Sequence, residues 1–521
     1  NLPAIRPRYA GTSIPVFSLR SKFSCGVGDF FDLELFGEFL EATGQRVLQI
    51  LPVNDTTDTL TWLDSYPYRS ISVYALHPIY LNPYKAGIPE DMIFYEEFLE
   101  KAETLNKEKS LNYEETLKLK WRYIKVLFTE NWDRTKESEE FKEYFKNNEF
   151  WLKDYALFSF LTERNGSADF RRWKKYSKYD TESLISLTSS KSKVFNDIAI
   201  YYFVQFHLHK QLTEAKQSLN KRGIILKGDI PIGISRNSVE AWKEPELFNF
   251  EVQAGAPPDD FSEFGQNWGF PTYNWTLMER DGFLWWKRRL NKMSEYFDAY
   301  RLDHILGFFR IWEIPVGFVS GVLGGFNPSI PLSVNDIFNF GYNFEYDRDC
   351  TPYIKEELLR RLFGVNSNEI VFEFLELNNC DRYSFKRKFT DQESIYKYFE
   401  TNRNSRISPF KDKIASLFGE VLFIKDQYDY KKYHPRINAF KTFSFEQLDE
   451  SQKERFLNIY NHFFSSRNNH FWHHIALKKL PGIITSTTMM ACGEDLGMVP
   501  ESVAHVMNRL GILSLEIERM P

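Results

Sequence analysis

The chain has 521 residues, 43% of them hydrophobic, so it can bury a large core without disulfide or metal staples. With 71 acidic against 66 basic residues the net charge is −5, and neither nucleic acid nor an anionic membrane is an expected partner. Cys25, Cys350, Cys380 and Cys492 form no CxxC pair, which excludes a disulfide scaffold and a zinc ribbon and suits the reducing cytoplasm.

The N-terminus, Asn1 to Pro7, has no apolar h-region and no initiator methionine. It reads as a mature form or a piece of something longer. No run of 18 apolar residues follows, so no span of a membrane is predicted. Six short apolar runs, at 12–17, 47–51, 224–226, 297–303, 489–494 and 512–516, read as buried parallel strands. Helical patterns lie between them at 31–43, closed by Gly44, at 198–220 and at 502–510. Strand and helix in alternation argue for a βα architecture, with the catalytic candidates at C-terminal strand ends as in a TIM barrel.

Two stretches are too long for crossovers. Residues 86–195 carry helical runs at 113–130 and 154–163, and residues 325–465 carry them at 353–363 and 446–464. Both read as helical insertions. The expected division is a barrel start at 1–85, an insertion at 86–195, barrel strands three and four at 196–324, a second insertion at 325–465, and strands five and six at 466–521.

In the fourth strand Arg301 and Asp303 are two apart and face one way. A guanidinium there lowers the carboxyl pKa, as a glycosidic nucleophile requires, but the pair also fits a structural ion pair. Glu494 ends the fifth strand and suits a general acid/base. Alternatively it and Asp495 start a helix, with Asp495 as N-cap. Adjacent strand tips would hold Asp303 and Glu494 at the about 5–5.5 Å separation of a retaining enzyme. Tyr66-Pro67-Tyr68 forms a rigid aromatic corner. Gly255 to Phe261 with Gly265 to Gly269 forms a Gly/Pro-rich aromatic loop that could exclude water. Lys227-Gly228-Asp229 is either another strand-tip carboxylate or a turn. His470 and His474 at i, i+4 lack a HExxH glutamate and read as a surface helix. Neither a metal site nor a nucleotide loop is predicted, and no cofactor. Aromatic content is high: 48 Phe, 28 Tyr and 12 Trp make 17%, the level expected of a large core or of a sugar binder.

These segments resemble, in order, the 4-α-glucanotransferases (amylomaltases, disproportionating enzymes) of glycoside hydrolase family 77. The matching pieces are IPVFSLRSKFSCGVGDF (14–30), LQILPVNDT (48–56), SYPYRS (65–70), GDIPIGISRNSVEAW (228–242), GAPPDDFSEFGQNWGFPTYNW (255–275), YRLDHILGFFRIWEIP (300–315) and ACGEDLG (491–497). Asp303 and Glu494 are 191 residues apart, and with HPRI (434–437) this resembles the plant cytosolic type, which carries an insertion there. The resemblance implies an α/β fold, a TIM (β/α)8 barrel with helical insertions, of which six strands fall in this chain. It implies Asp303 as nucleophile and Glu494 as acid/base. It places Tyr68, Asp229, Asp259, Gln266, Trp268, Arg301 and His304 on substrate. The implied reaction moves glucosyl units from maltose or maltooligosaccharides to a glycogen- or starch-like glucan with retention. A retaining glucan hydrolase and a non-catalytic glucan-binding protein are the alternatives. The family's third carboxylate, in a His-Asp motif, is expected beyond Pro521 with strands seven and eight. A chain ending at Pro521 is expected to be an incomplete, inactive copy.

Overall fold

A computed structural model describes residues 8–518 except 260, 261, 379, 380 and 404. Five of the six predicted strands pair in one parallel sheet. These are β1 (Gly11–Ser13), β2 (Val47–Gln49), β3 (Ile225–Ile230), β4 (Ala299–Leu302) and β5 (Met490–Gly493). Their order in the sheet is their order in the chain. The register runs Thr12↔Leu48, Leu48↔Leu226, Asp229↔Arg301 and Arg301↔Cys492. A parallel sheet that advances one neighbour at a time is the winding of a TIM barrel, whereas a doubly wound sheet reverses direction.

The sixth predicted strand, 512–516, is reduced to one parallel bridge, Cys492↔Leu513. Leu513 accepts from Gly493 N–H and donates to Ala491 C=O. Beyond that bridge no further ladder bond forms among the described residues. Leu515 N–H goes instead to the Asp495 carboxylate at 3.0 Å. Asp495 is therefore not the helix N-cap considered above. The helix that follows begins at Ser502 behind Glu501.

The helices begin where their caps say they should. α1 (Phe30–Ala42) opens on a capping box, Asp29 with Asp32, and ends before Gly44, whose φ of +72° an L side chain rarely adopts. α2 (Met92–Lys107), α3 (Tyr113–Glu137) and α4 (Glu139–Asn165) start behind Asp91, Asn112 and Ser138, each accepting a first-turn N–H. α5 (Phe195–Lys221) leads into β3. These helices share one core with the sheet: Leu127 and Phe158 belong to the same buried cluster as Leu48, Ile230 and Leu302. Within 325–465, Phe326 and Ile437 join that core, and most other buried apolar residues form two further ones. Leu359, Ile370, Phe374 and Ile414 make one, and Leu332, Tyr342, Phe423 and Phe456 another.

An antiparallel sheet sits beyond the C-terminal end of the barrel strands. Its order is Gly325–Asn327, Ile311–Pro315, Val252–Ala256, Gln266–Asn267. It carries the 255–269 aromatic loop. Among the described residues no helix is long and apolar enough to cross a membrane.

Candidate active site

Asp229 lies inside β3, not in a turn. Gly228 before it is required by packing: a Cβ there would meet the Phe297 ring at 2.4 Å. The register sets Asp229 opposite Arg301, so both side chains leave the same face. Arg301 Nη1 donates to both Asp229 oxygens at 2.8 Å and lies 3.0 Å from Asp303 Oδ1. Tyr68 donates its hydroxyl to Asp229 Oδ2 at 2.7 Å. One guanidinium thus serves two carboxylates. The Asp229 side chain is fully buried, while Asp303 keeps 24% exposure and remains reachable.

That sharing corrects one expectation. Arg301 does not hold Asp303 at a low pKa. Burial, followed by the negative Asp229, pushes the Asp303 carboxyl up to about 7; Arg301 pulls it down and Glu494 pushes it up. Burial lowers the charge preference of Arg301, but Asp229 and Asp303 together raise its pKa.

Glu494 follows β5 directly. Leu302 pairs with Gly493, so Asp303 and Glu494 occupy the next level on neighbouring strands, whose backbones run about 4.8 Å apart. The ladder reaches both residues, through Asp303 N–H to Ile230 C=O at 3.0 Å and Glu494 N–H to Leu302 C=O at 2.9 Å. The Glu494 carboxylate accepts from His304 N–H at 2.8 Å and from Leu496 N–H at 3.1 Å. Burial raises its pKa, and these two amides oppose the rise.

His304 makes the first of those bonds because its backbone is left-handed, with φ +47°. Such a conformation costs a non-glycine residue about 1–3 kcal/mol, and here it aims an N–H at Glu494. Burial, then Arg310, lowers the His304 pKa to about 3, so the imidazole is neutral. Its ring meets Trp268 edge-on, centroids 4.8 Å apart. Trp268 Nε1 donates to Gln266 Oε1 at 3.0 Å, and Trp268 stacks on Phe270 at 5.7 Å. The 255–269 loop therefore reaches the residue next to Asp303. Within it Asp259 accepts from Ser262 N–H at 2.8 Å. Asp260 and Phe261, part of the predicted loop, lie outside the described residues. The Tyr66 and Tyr68 rings are 5.6 Å apart, with Tyr66 exposed.

Two supporting residues escaped the sequence reading. Glu240 is buried and accepts from Val73 N–H at 3.0 Å and Ser72 Oγ at 3.3 Å. With Ser235 N–H on Ser70 C=O and Val239 N–H on Ile71 C=O, it clamps the loop that carries Tyr68. Its signal was one acidic residue on an otherwise apolar turn, Val239, Ala241 and Trp242. Arg310 is buried with its guanidinium 3.7 Å from the Phe326 ring centroid and 4.5 Å from that of Trp472. It donates to Met498 C=O at 2.5 Å and so holds the loop after Glu494. No spacing rule marks it. On α8 (Asn469–Ile484), which follows α6 (Leu284–Ser294) and α7 (Glu450–Asn461), the His473 ring lies tilted against that of His505, centroids 5.1 Å apart. Among the described residues no group of three His, Cys, Asp or Glu is placed to hold a metal ion.

The sequence profile of the glycoside hydrolase family 77 4-alpha-glucanotransferases matches residues 14–521. A 4-alpha-glucanotransferase DPE2 of Oryza sativa subsp. japonica is 40% identical, covering 99% of this chain and 55% of its own length. The 4-alpha-glucanotransferase of Thermus thermophilus is 32% identical over 61% of this chain and 62% of its own. The rice match thus runs through 325–465, and the bacterial one leaves about two-fifths of the chain unmatched. An amylomaltase from Streptococcus agalactiae, solved in complex with acarbose, superposes with a TM-score of 0.53 at 26% identity, covering 62% of this chain and 64% of that one. The chain spans about half the length of the curated rice relative and under two thirds of the bacterial ones. Its sheet winding, its strand-tip carboxylates and the profile match over nearly every residue make this chain a member of glycoside hydrolase family 77, the 4-alpha-glucanotransferases.

Proposed function

We propose that this chain carries the active site of a 4-α-glucanotransferase. It would move glucosyl units from maltose or maltooligosaccharides to an α-glucan such as glycogen or starch. The observation that carries the reading is the Asp229–Arg301–Asp303 network beside a Glu494 anchored by two backbone amides. Asp303 is the nucleophile: its oxygen attacks the anomeric carbon as the glycosidic bond breaks. Glu494, whose raised pKa favours a retained proton, donates that proton to the leaving oxygen. An acceptor hydroxyl then returns its proton to Glu494, attacks the anomeric carbon, and releases Asp303 with net retention. Arg301 and His304 hold sugar hydroxyls beside the nucleophile, Tyr68 stacks near the cleaved bond, and the buried Asp229 holds Arg301 and Tyr68 in place behind the donor subsite. Asp259, Gln266 and Trp268 line the outer subsites, where Trp268 supplies an apolar face. An acceptor seated there displaces water, which favours transfer over hydrolysis.

Free Cys25, Cys350 and Cys492 support action in the reducing cytoplasm. Incubating the full-length protein with maltose tests the reading. Transfer yields glucose together with longer maltooligosaccharides. Glucose alone identifies a hydrolase, and maltose left intact identifies a binding protein. Asp303→Asn is expected to lower kcat at least about 100-fold, the lower end of what such groups contribute.

A further inference from the structure

Residues 325–465 meet the barrel along strands Ile311–Pro315 and Gly325–Asn327. A cavity of about 290 Å³ lies at this junction. Glu313, Asn327 and Pro328 wall one side; Asp426, Tyr428 and His434, from the 423–435 hairpin, wall the other. None of these residues belongs to the Asp303–Glu494 site.

The walls are polar and prearranged. Glu313 is buried, and its carboxylate accepts from Thr272 Oγ1 at 2.5 Å, Asn327 Nδ2 at 3.0 Å and Tyr428 Oη at 2.8 Å. Those bonds pin the hydroxyl end of Tyr428 while the residue stays 62% exposed, which fixes an aromatic face at the mouth. His434 pairs through Nε2 with Asp426 Oδ2 at 2.6 Å. Its Nδ1 is buried and has no hydrogen-bond partner among the described residues. In the tautomer whose proton sits on Nε2 toward Asp426, that nitrogen accepts a hydrogen bond. A buried polar atom left unpaired is costly, and a ligand hydroxyl that pairs with it recovers that cost.

Charge selects among ligands. The lining holds the carboxylates Glu313, Asp426 and Asp429 against Lys425 and Lys432, and Lys432 is already paired with Asp429 at 3.3 Å. An anion would meet a surplus of negative charge. A neutral ligand that offers hydroxyl donors and one apolar face fits: a pyranose ring has both, and Tyr428 and Pro328 supply the matching apolar surface. The volume is near the lower limit of ligand pockets, about 300 Å³, enough for one or two rings.

We propose that this junction cavity is a second carbohydrate site, binding the end of a neutral sugar chain between barrel and insertion. The inference does not depend on the transferase reading. Hydrogen–deuterium exchange in full-length Asp303→Asn, which leaves the sugar intact, tests it with glucose, maltose and maltotriose as probes. Backbone amides of 423–435 should exchange about 3–10-fold more slowly with at least one sugar, the effect of one or two added hydrogen bonds. Adding Tyr428→Ala should abolish that protection but not protection around 303 and 494. Tyr428→Phe, which keeps the ring and fills the same space, should weaken it and guards against a folding defect. Protection by none of the three sugars, protection unchanged in Tyr428→Ala, or protection by inorganic phosphate alone would overturn the proposal. Lost protection around 303 and 494 would count against the transferase reading, and lost protection at 423–435 against this one.

Discussion

Arg301 stands between two carboxylates, and in the proposed mechanism that position sets the acid limb of the reaction. As the proposed nucleophile Asp303 must be ionised to attack, and its pKa is held up at about 7 by burial and then by Asp229. Below that pH the protonated fraction grows and kcat/KM should fall. Asp229→Asn removes one negative charge and leaves Arg301 wholly to Asp303. Both changes lower the Asp303 pKa, so the acid limb should move to lower pH. A pH–rate profile reads this directly, and an acid limb that stays in place would refute the sharing argument. At His304 the ring and the backbone do separate things. His304→Gly keeps the N–H that anchors Glu494 and relieves the left-handed strain. It should raise KM through the lost imidazole more than it lowers kcat. Steady-state kinetics would contradict this by showing kcat collapse at unchanged KM.

At the scale of elements, the site depends on loops tied to one another more than on the strands alone. Glu240 joins the loop after β3 to the loop after β2. Its buried carboxyl is raised from 4.5 to about 7, mainly by burial. A carboxyl raised in the folded state favours folding when protonated, so its contribution is full below pH 4.5 and is lost as pH rises through 7. Glu240→Gln keeps an acceptor for Val73 N–H and removes this loss. Its Tm should match the wild type near pH 4.5 and exceed it increasingly toward pH 8, with kcat little changed. Glu240→Ala strands the Val73 amide, at a cost of about 1–3 kcal/mol, and should lower kcat by displacing Tyr68. Calorimetry across pH and a kcat for each variant check both halves.

Across the whole molecule the cores are unequal. The sheet and helices α1 to α5 share one, which 325–465 joins only through residues such as Phe326 and Ile437, its other buried apolar residues forming cores of their own. Such a body can lose its packing before the barrel does. Phe374→Ala empties a fully buried site in the 353–417 core, and a Phe→Ala change there costs about 3–5 kcal/mol. Thermal unfolding should then split, an early transition belonging to 325–465 and a later one to the rest. A single transition at a lower temperature would show instead that the two bodies melt together.

The short apolar runs, ending in polar residues, determined the parallel strands, because a strand covered on both faces must be apolar throughout. Five of the six formed, and helices 502–510 and 198–220 lie within residues of their predicted bounds. Positions such as 301 and 303 were legible as one face from the two-residue period alone. The sharing of Arg301 was not, since it needs Asp229 opposite it across a register set by packing of the intervening helix. The same holds for the His304 amide on Glu494, for the Glu240 clamp and for the junction cavity, all joining residues more than 100 positions apart. Local pattern determines which face a side chain takes and how a segment folds. Electrostatic balance is a sum over neighbours in space, and only the tertiary structure decides who those neighbours are.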